Sequence, residues 1–188
     1  MCIICDKIYD ENTTEIHCCK NVTRIPYLPN LKILDCQFTQ ITRIPYLPNL
    51  ITFVCGYTKI TRIPYLPNLK ELYCPFTKIT RIPYLPNLKE LFCSNTKITS
   101  IPYLPNLITL GCSYTQITSI TSTLKKLFYN NTLILERPNY NTVYCNNCKF
   151  LDINIKPILF IQKCYNKKKV KYIPLIKDLA VLCVPSNI

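Results

Sequence analysis

Leu72 and Cys74 alternate with Tyr73 and Pro75, and the same alternation returns at Leu91 and Cys93 with Phe92 and Ser94. A period of two predicts a short strand with Leu and Cys turned inward and the intervening residues outward. Each such run leads into the string I-P-Y-L-P-N, as at residues 82–87. Its two prolines lack backbone donors and hold φ near -65°, which predicts an extended, polyproline-like segment rather than helix or inner strand.

The pattern repeats when the chain is shifted by 19 residues. Cys36, Cys55, Cys74, Cys93 and Cys112 fall in register, as do Thr39, Thr58, Thr77, Thr96 and Thr115, and Ile41, Ile60, Ile79, Ile98 and Ile117. The unit L-x-x-L-x-C-x-x-T-x-I-T-x-I-P-Y-L-P-N has apolar residues at positions 1, 4, 6 and 11, the signature of a leucine-rich repeat with Cys at its third leucine position. The fold expected is a leucine-rich-repeat solenoid: a parallel β-sheet on the concave face, an extended convex side, and little helix except near the C-terminus. Regular units span residues 31–49, 50–68, 69–87 and 88–106, a fifth begins at Leu107 and loses its tail, and a sixth begins at Leu124 with Tyr129 in the cysteine column. End repeats lack one neighbour. Residues 1–23 are therefore expected to form an N-terminal cap with a degenerate first repeat, 24–138 the array, and 139–188 a C-terminal cap and basic tail.

The ladder gives the cysteines a packing role. An inward thiol is a small hydrophobe, neighbouring layers lie about 4.8 Å apart, and ladder side chains point in parallel rather than converging on a disulfide. The threonines that follow are placed to satisfy backbone groups where the chain leaves the strand. With 13 cysteines, an odd number, and an N-terminus without the features of a secretory signal, the chain is expected to keep free thiols in an intracellular, reducing compartment. Apolar runs such as P-I-L-F-I stop far short of the roughly 20 residues of a membrane span, so no membrane association is expected.

The Cys and Thr version of the unit, as in L-K-E-L-F-C-S-N-T-K-I-T-S-I-P at residues 88–102, resembles the leucine-rich-repeat proteins of amoeba-infecting giant DNA viruses. The P-x-L-P element is also similar to the short repeats of bacterial secreted effectors. The resemblance covers roughly residues 16–138. It implies a viral protein that serves as a curved interaction scaffold for host proteins, acting in the host cytoplasm. Some of those effectors carry a C-terminal ubiquitin-ligase domain, but the roughly 50 residues after the repeats are too few for one.

Variation within the repeat marks the candidate surfaces. The position before each cysteine carries Asp35, Val54, Tyr73, Phe92, Gly111 and Phe128, and two positions after it come Phe38, Tyr57, Phe76, Asn95, Tyr114 and Asn131. Rings grouped on one surface supply anchors for a protein partner. Phe38, Tyr57, Tyr73, Phe76, Phe92 and Tyr114 are thus the candidate partner-binding residues. Arg24, Arg43, Arg62 and Arg81 form one basic row and Lys59, Lys78 and Lys97 another. With a net charge of +13 these rows are the candidates for an alternative function, binding a polyanion or single-stranded nucleic acid. Tyr27, Tyr46, Tyr65, Tyr84 and Tyr103 barely vary between units, which suggests a role in packing repeats together.

Two C-x-x-C pairs lie outside the ladder, Cys2 with Cys5 and Cys145 with Cys148. Cys2, Cys5, His17 and Cys18 or Cys19 have the ligand types of a zinc site, but His17 and Cys18 fall where the first strand belongs, so a cap with free thiols and no metal or cofactor is expected. One histidine, two glycines and scattered carboxylates give no catalytic constellation, and no enzymatic activity is expected. The tail I-Q-K-C-Y-N-K-K-K-V-K, residues 161–171, imperfectly resembles a calmodulin-binding motif, with Asn166 where a basic residue belongs. Neither the partner nor the oligomeric state follows from the sequence.

Overall fold

The computed structural model describes residues 2–122, 124–132 and 134 in full, and the backbone of one further strand at 140–144. Its frame is one parallel sheet of eight strands in sequence order. These are β1 (Glu15–His17), β2 (Ile33–Asp35), β3 (Thr52–Val54), β4 (Glu71–Tyr73), β5 (Glu90–Phe92), β6 (Thr109–Gly111), β7 (Leu124–Phe128) and β8 (Tyr140–Tyr144). No helix occurs among the described residues. The solenoid expected from the repeat is present: the sheet lines the concave side and extended chain forms the back.

Register follows the 19-residue unit. Leu34 lies beside Phe53, Phe53 beside Leu72, Leu72 beside Leu91, and Leu91 beside Leu110. Between β6 and β7 the offset falls to 17, Leu110 pairing with Leu127, because the fifth unit has lost its P-Y-L-P-N tail. The inward column continues through Cys36, Cys55, Cys74, Cys93 and Cys112, all inaccessible to solvent and all free thiols. Burial among apolar neighbours raises these thiols, Cys74 and Cys112 each to about 12.

Polar groups inside the stack are satisfied in register. Thr39, Thr58, Thr77, Thr96 and Thr115 each donate their hydroxyl to the carbonyl of the cysteine three residues earlier, at 2.6 to 2.8 Å. On the back, each L-P-N-L closes a turn in which the second leucine N–H bonds the first leucine carbonyl, as Leu69 to Leu66 at 3.2 Å. Proline presets φ for the second residue of such a turn. The asparagine of each turn reaches across to the preceding repeat: Asn49, Asn68, Asn87 and Asn106 donate Nδ2 to the carbonyls of Pro29, Pro48, Pro67 and Pro86. This outer ladder was not anticipated, although the asparagine column was plain in the sequence.

Candidate functional site

The strand exits hold a column of unusual backbone. Phe38, Tyr57, Phe76, Asn95, Tyr114 and Asn131 all adopt positive φ, between 48° and 58°. Four of the six are large aromatics, for which a left-handed backbone is unfavourable. Hydrogen bonding enforces the conformation. The N–H groups of Phe38, Tyr57 and Phe76 donate to the carbonyls of Gly56, Pro75 and Ser94 in the next layer at 3.0 Å, so the chain leaves the strand while still tied to its neighbour.

The consequence is a row of outward rings. Phe38 stacks on Tyr57 at 4.8 Å between centroids, and Tyr57 on Phe76 at 4.4 Å. All three are about half exposed, at 47 to 59%. Asn95 interrupts the row, so Tyr114, 53% exposed, stands apart from that stack.

A second stack lies on the sheet face itself. Tyr73 and Phe92 are parallel at 5.3 Å, and Phe92 meets Phe128 at 6.1 Å with the planes tilted by 35°. Gly111, between them on β6, makes this possible: a β-carbon there would lie 2.5 Å from a ring carbon of Phe92. Phe92 thus occupies the space a side chain at 111 would need. The Tyr73 hydroxyl donates to Glu90 at 2.9 Å, and burial together with this bond raises the phenol to about 12. The six expected anchors therefore sort into two stacks and one isolated ring.

The basic rows lie elsewhere. Arg24 and Arg43 border a groove of about 380 Å³ with Thr23, Ile25, Thr42, Ile44 and Pro45, all beyond the strands. Arg62, Arg81, Lys59, Lys78 and Lys97 are exposed, and among the described residues no Arg or Lys forms an ion pair. The strand faces are mixed: Glu15, Asp35, Glu71 and Glu90 lie on β1, β2, β4 and β5, and the exposed Lys125 and Lys126 on β7.

A family model described as Leucine Rich repeats (2 copies) matches residues 67–106 and 86–126. The chain carries leucine-rich repeats. Among solved structures, YopM from Yersinia enterocolitica WA-314 superposes with a TM-score of 0.57 at 17% identity, over 81% of this chain and 42% of that one. The chain thus spans less than half of that protein's length, and the likeness is one of fold. No curated protein matches the sequence.

Two further groups of residues lie apart from the ring stacks. Tyr27, Tyr46, Tyr65, Tyr84 and Tyr103 do not stack on one another: they are 50 to 62% exposed, and no ring contact joins them among the described residues. On the same side the asparagine ladder ties each layer to the one before it. Nor do His17 and Cys18 accompany Cys2 and Cys5. His17, on β1, bonds Glu15 through Nε2 at 2.8 Å, with Asp35 3.7 Å from Nδ1. Cys18 heads the inward ladder, and burial raises it to about 12.

Cys19, the other member of that candidate set, does accompany Cys2 and Cys5. Its sulfur lies 3.4 Å from that of Cys5, and its N–H donates to Cys2 Sγ, also at 3.4 Å. That Cys19 N–H bond first, with smaller backbone bonds from Cys5 and Ile4, lowers the Cys2 thiol to about 7 against the opposing effect of burial. Cys5 moves the other way, to about 12, through its contact with Cys19. Cys145, Cys148 and the calmodulin-motif-like tail lie outside the described residues.

Proposed function

We propose that this leucine-rich-repeat chain is a non-enzymatic scaffold that binds a protein partner on its aromatic concave side. Repeat solenoids use their extended concave surfaces for binding. One observation carries the reading here: rings occupy left-handed positions where asparagine, seen at 95 and 131, fits the backbone better. Backbone strain that persists points from geometry toward function. Stacked, half-exposed rings bury large area on contact at small entropic cost. The resemblance to giant-virus repeats supports a host protein as partner and the host cytoplasm as the place of encounter.

Charge separates this from the polyanion reading. A phosphate chain laid on the rings would run over Glu71 and Glu90 on β4 and β5 and meet base only at Lys125 and Lys126 on β7, whereas Arg24 and Arg43 border a groove away from the strands. Basic rows outside a contact steer association more than they hold it.

The test begins with affinity capture from host lysate, with and without nuclease, followed by binding measurements on the purified partner. Tyr73→Ala, Phe76→Ala and Phe92→Ala should each cost about 2 kcal/mol, roughly 30-fold in affinity. Reversing Arg43, Arg62 and Arg81 to Glu should slow association and leave most of the affinity. If charge reversal abolishes binding while the ring variants retain it, and affinity falls by about one power of salt per phosphate contacted, the polyanion function replaces this one.

A further inference from the structure

The turn at the N-terminus folds two cysteines back onto the first repeat. Asp6 N–H bonds the Cys2 carbonyl at 3.0 Å, Ile8 N–H bonds the Ile3 carbonyl at 2.9 Å, and Lys7 closes the turn at a φ of 55°. The Cys2 N–H is held by Asp6 Oδ2 at 3.1 Å. Cys5 is thereby brought against Cys19, which follows β1. The sulfurs of Cys2, Cys5 and Cys19 all lie within 4.8 Å of one another. Three thiolates about 2.3 Å from a tetrahedral ion stand about 3.8 Å apart, and the Cys5–Cys19 gap of 3.4 Å, with no gap above 4.8 Å, is compatible with that spacing.

The ladder cysteines offer no such convergence, since they point in parallel and are sealed from solvent. This cluster differs in access as well. Cys2 is buried, Cys19 half-buried and Cys5 exposed, so an ion can enter from the Cys5 side.

We infer that Cys2, Cys5 and Cys19 bind one zinc ion through three thiolates, with the fourth coordination position open to water. Soft thiolate donors in a tetrahedral set suit zinc among the common divalent ions. Binding releases up to three thiol protons to solvent and leaves the site with a net charge of -1. His17 is not a ligand, because Glu15 holds its Nε2 on the face of β1. The ion clasps the N-terminal turn to the first repeat, beside β1 at the edge of the described sheet. Because the unfolded chain lacks the site, binding adds directly to folding stability.

The experiment uses the full chain, reduced and metal-free, with Zn(II) alone and Co(II) alone as probes. Native mass spectrometry should show one zinc more on the parent than on Cys5→Ser or Cys19→Ser. A competing chromogenic chelator should report an affinity lower by about 100-fold or more in those variants, since even indirect partners of a metal ligand contribute 10- to 100-fold. Cobalt should give a sulfur-to-metal charge-transfer band that both variants lose and Cys5→His retains in weaker form. Zinc should raise the Tm of the parent but not of Cys5→Ser, whose exposed position keeps the fold intact. A Cys145→Ser/Cys148→Ser variant should keep this zinc. The inference is overturned if the Cys5 and Cys19 variants bind as much zinc as the parent, if zinc is lost only with Cys145 and Cys148, or if His17→Ala loses it as completely.

Discussion

Phe76 carries a ring where the backbone disfavours one. A left-handed residue with a β-carbon costs roughly 1–2 kcal/mol, and an aromatic stack returns about 0.5–1.5 kcal/mol beyond its buried area. The two nearly cancel at Phe76, which stacks on Tyr57 at 4.4 Å. Phe76→Asn should therefore leave unfolding free energy within about 1 kcal/mol of the parent in urea titrations, while partner affinity falls as for Phe76→Ala. A residue kept for packing alone would show the opposite pattern. This left-handed column was only half legible in the sequence. Asn95 and Asn131 pointed to positive φ, but Phe and Tyr argue against it, and only the interlayer N–H bonds settle the competition. Cys19 and Cys18 were likewise even choices: both follow β1 and both are half-buried, and the contact of the N-terminal turn, Cys5 against Cys19, is what separates them.

At the scale of the repeat, cysteine and threonine act as one device. Thr77 supplies its hydroxyl to the buried Cys74 carbonyl at 2.8 Å. Thr77→Val should cost about 1–3 kcal/mol, the desolvation of an unpaired acceptor, and Thr77→Ser much less; chemical denaturation distinguishes them. The thiols add a pH dependence. Cys74 and Cys112 rise from an ordinary 9.0 to about 12 on folding, so the folded state favours the protonated form. Their contribution is complete below pH 9 and is lost as pH climbs toward 12, because the unfolded chain releases those protons first. Stability should thus fall across that alkaline window, and Cys74→Val should flatten the decline. Thiol labelling at neutral pH should spare Cys55, Cys74 and Cys93. This device was legible because it repeats: alternation fixed the inward face, and the threonine column followed it. The asparagine ladder was equally periodic, yet its acceptor is a proline carbonyl one layer away, a contact across the back of the solenoid that residue types alone do not specify.

For the molecule as a whole, stability is a sum over neighbouring layers. Removing residues 69–87 joins Asn68 to Leu88 and restores the period, so this deletion should still unfold cooperatively by circular dichroism at a lower Tm. Removing residues 69–78 breaks the register and should abolish the fold. The first deletion also removes Tyr73 and Phe76, which belong to different stacks. Their shared unit is where the rings change rows: Phe38, Tyr57 and Phe76 run along the strand exits, and Tyr73, Phe92 and Phe128 continue on the sheet. A surface with perfect translational symmetry would let a bound partner slip by one layer, about 4.8 Å, at no cost. The diagonal of rings, stopped by Asn95 on one row and opened by Gly111 on the other, destroys that symmetry. A molecule built from copies thereby acquires a single address: a partner that reads the diagonal has one position and one direction in which to lie.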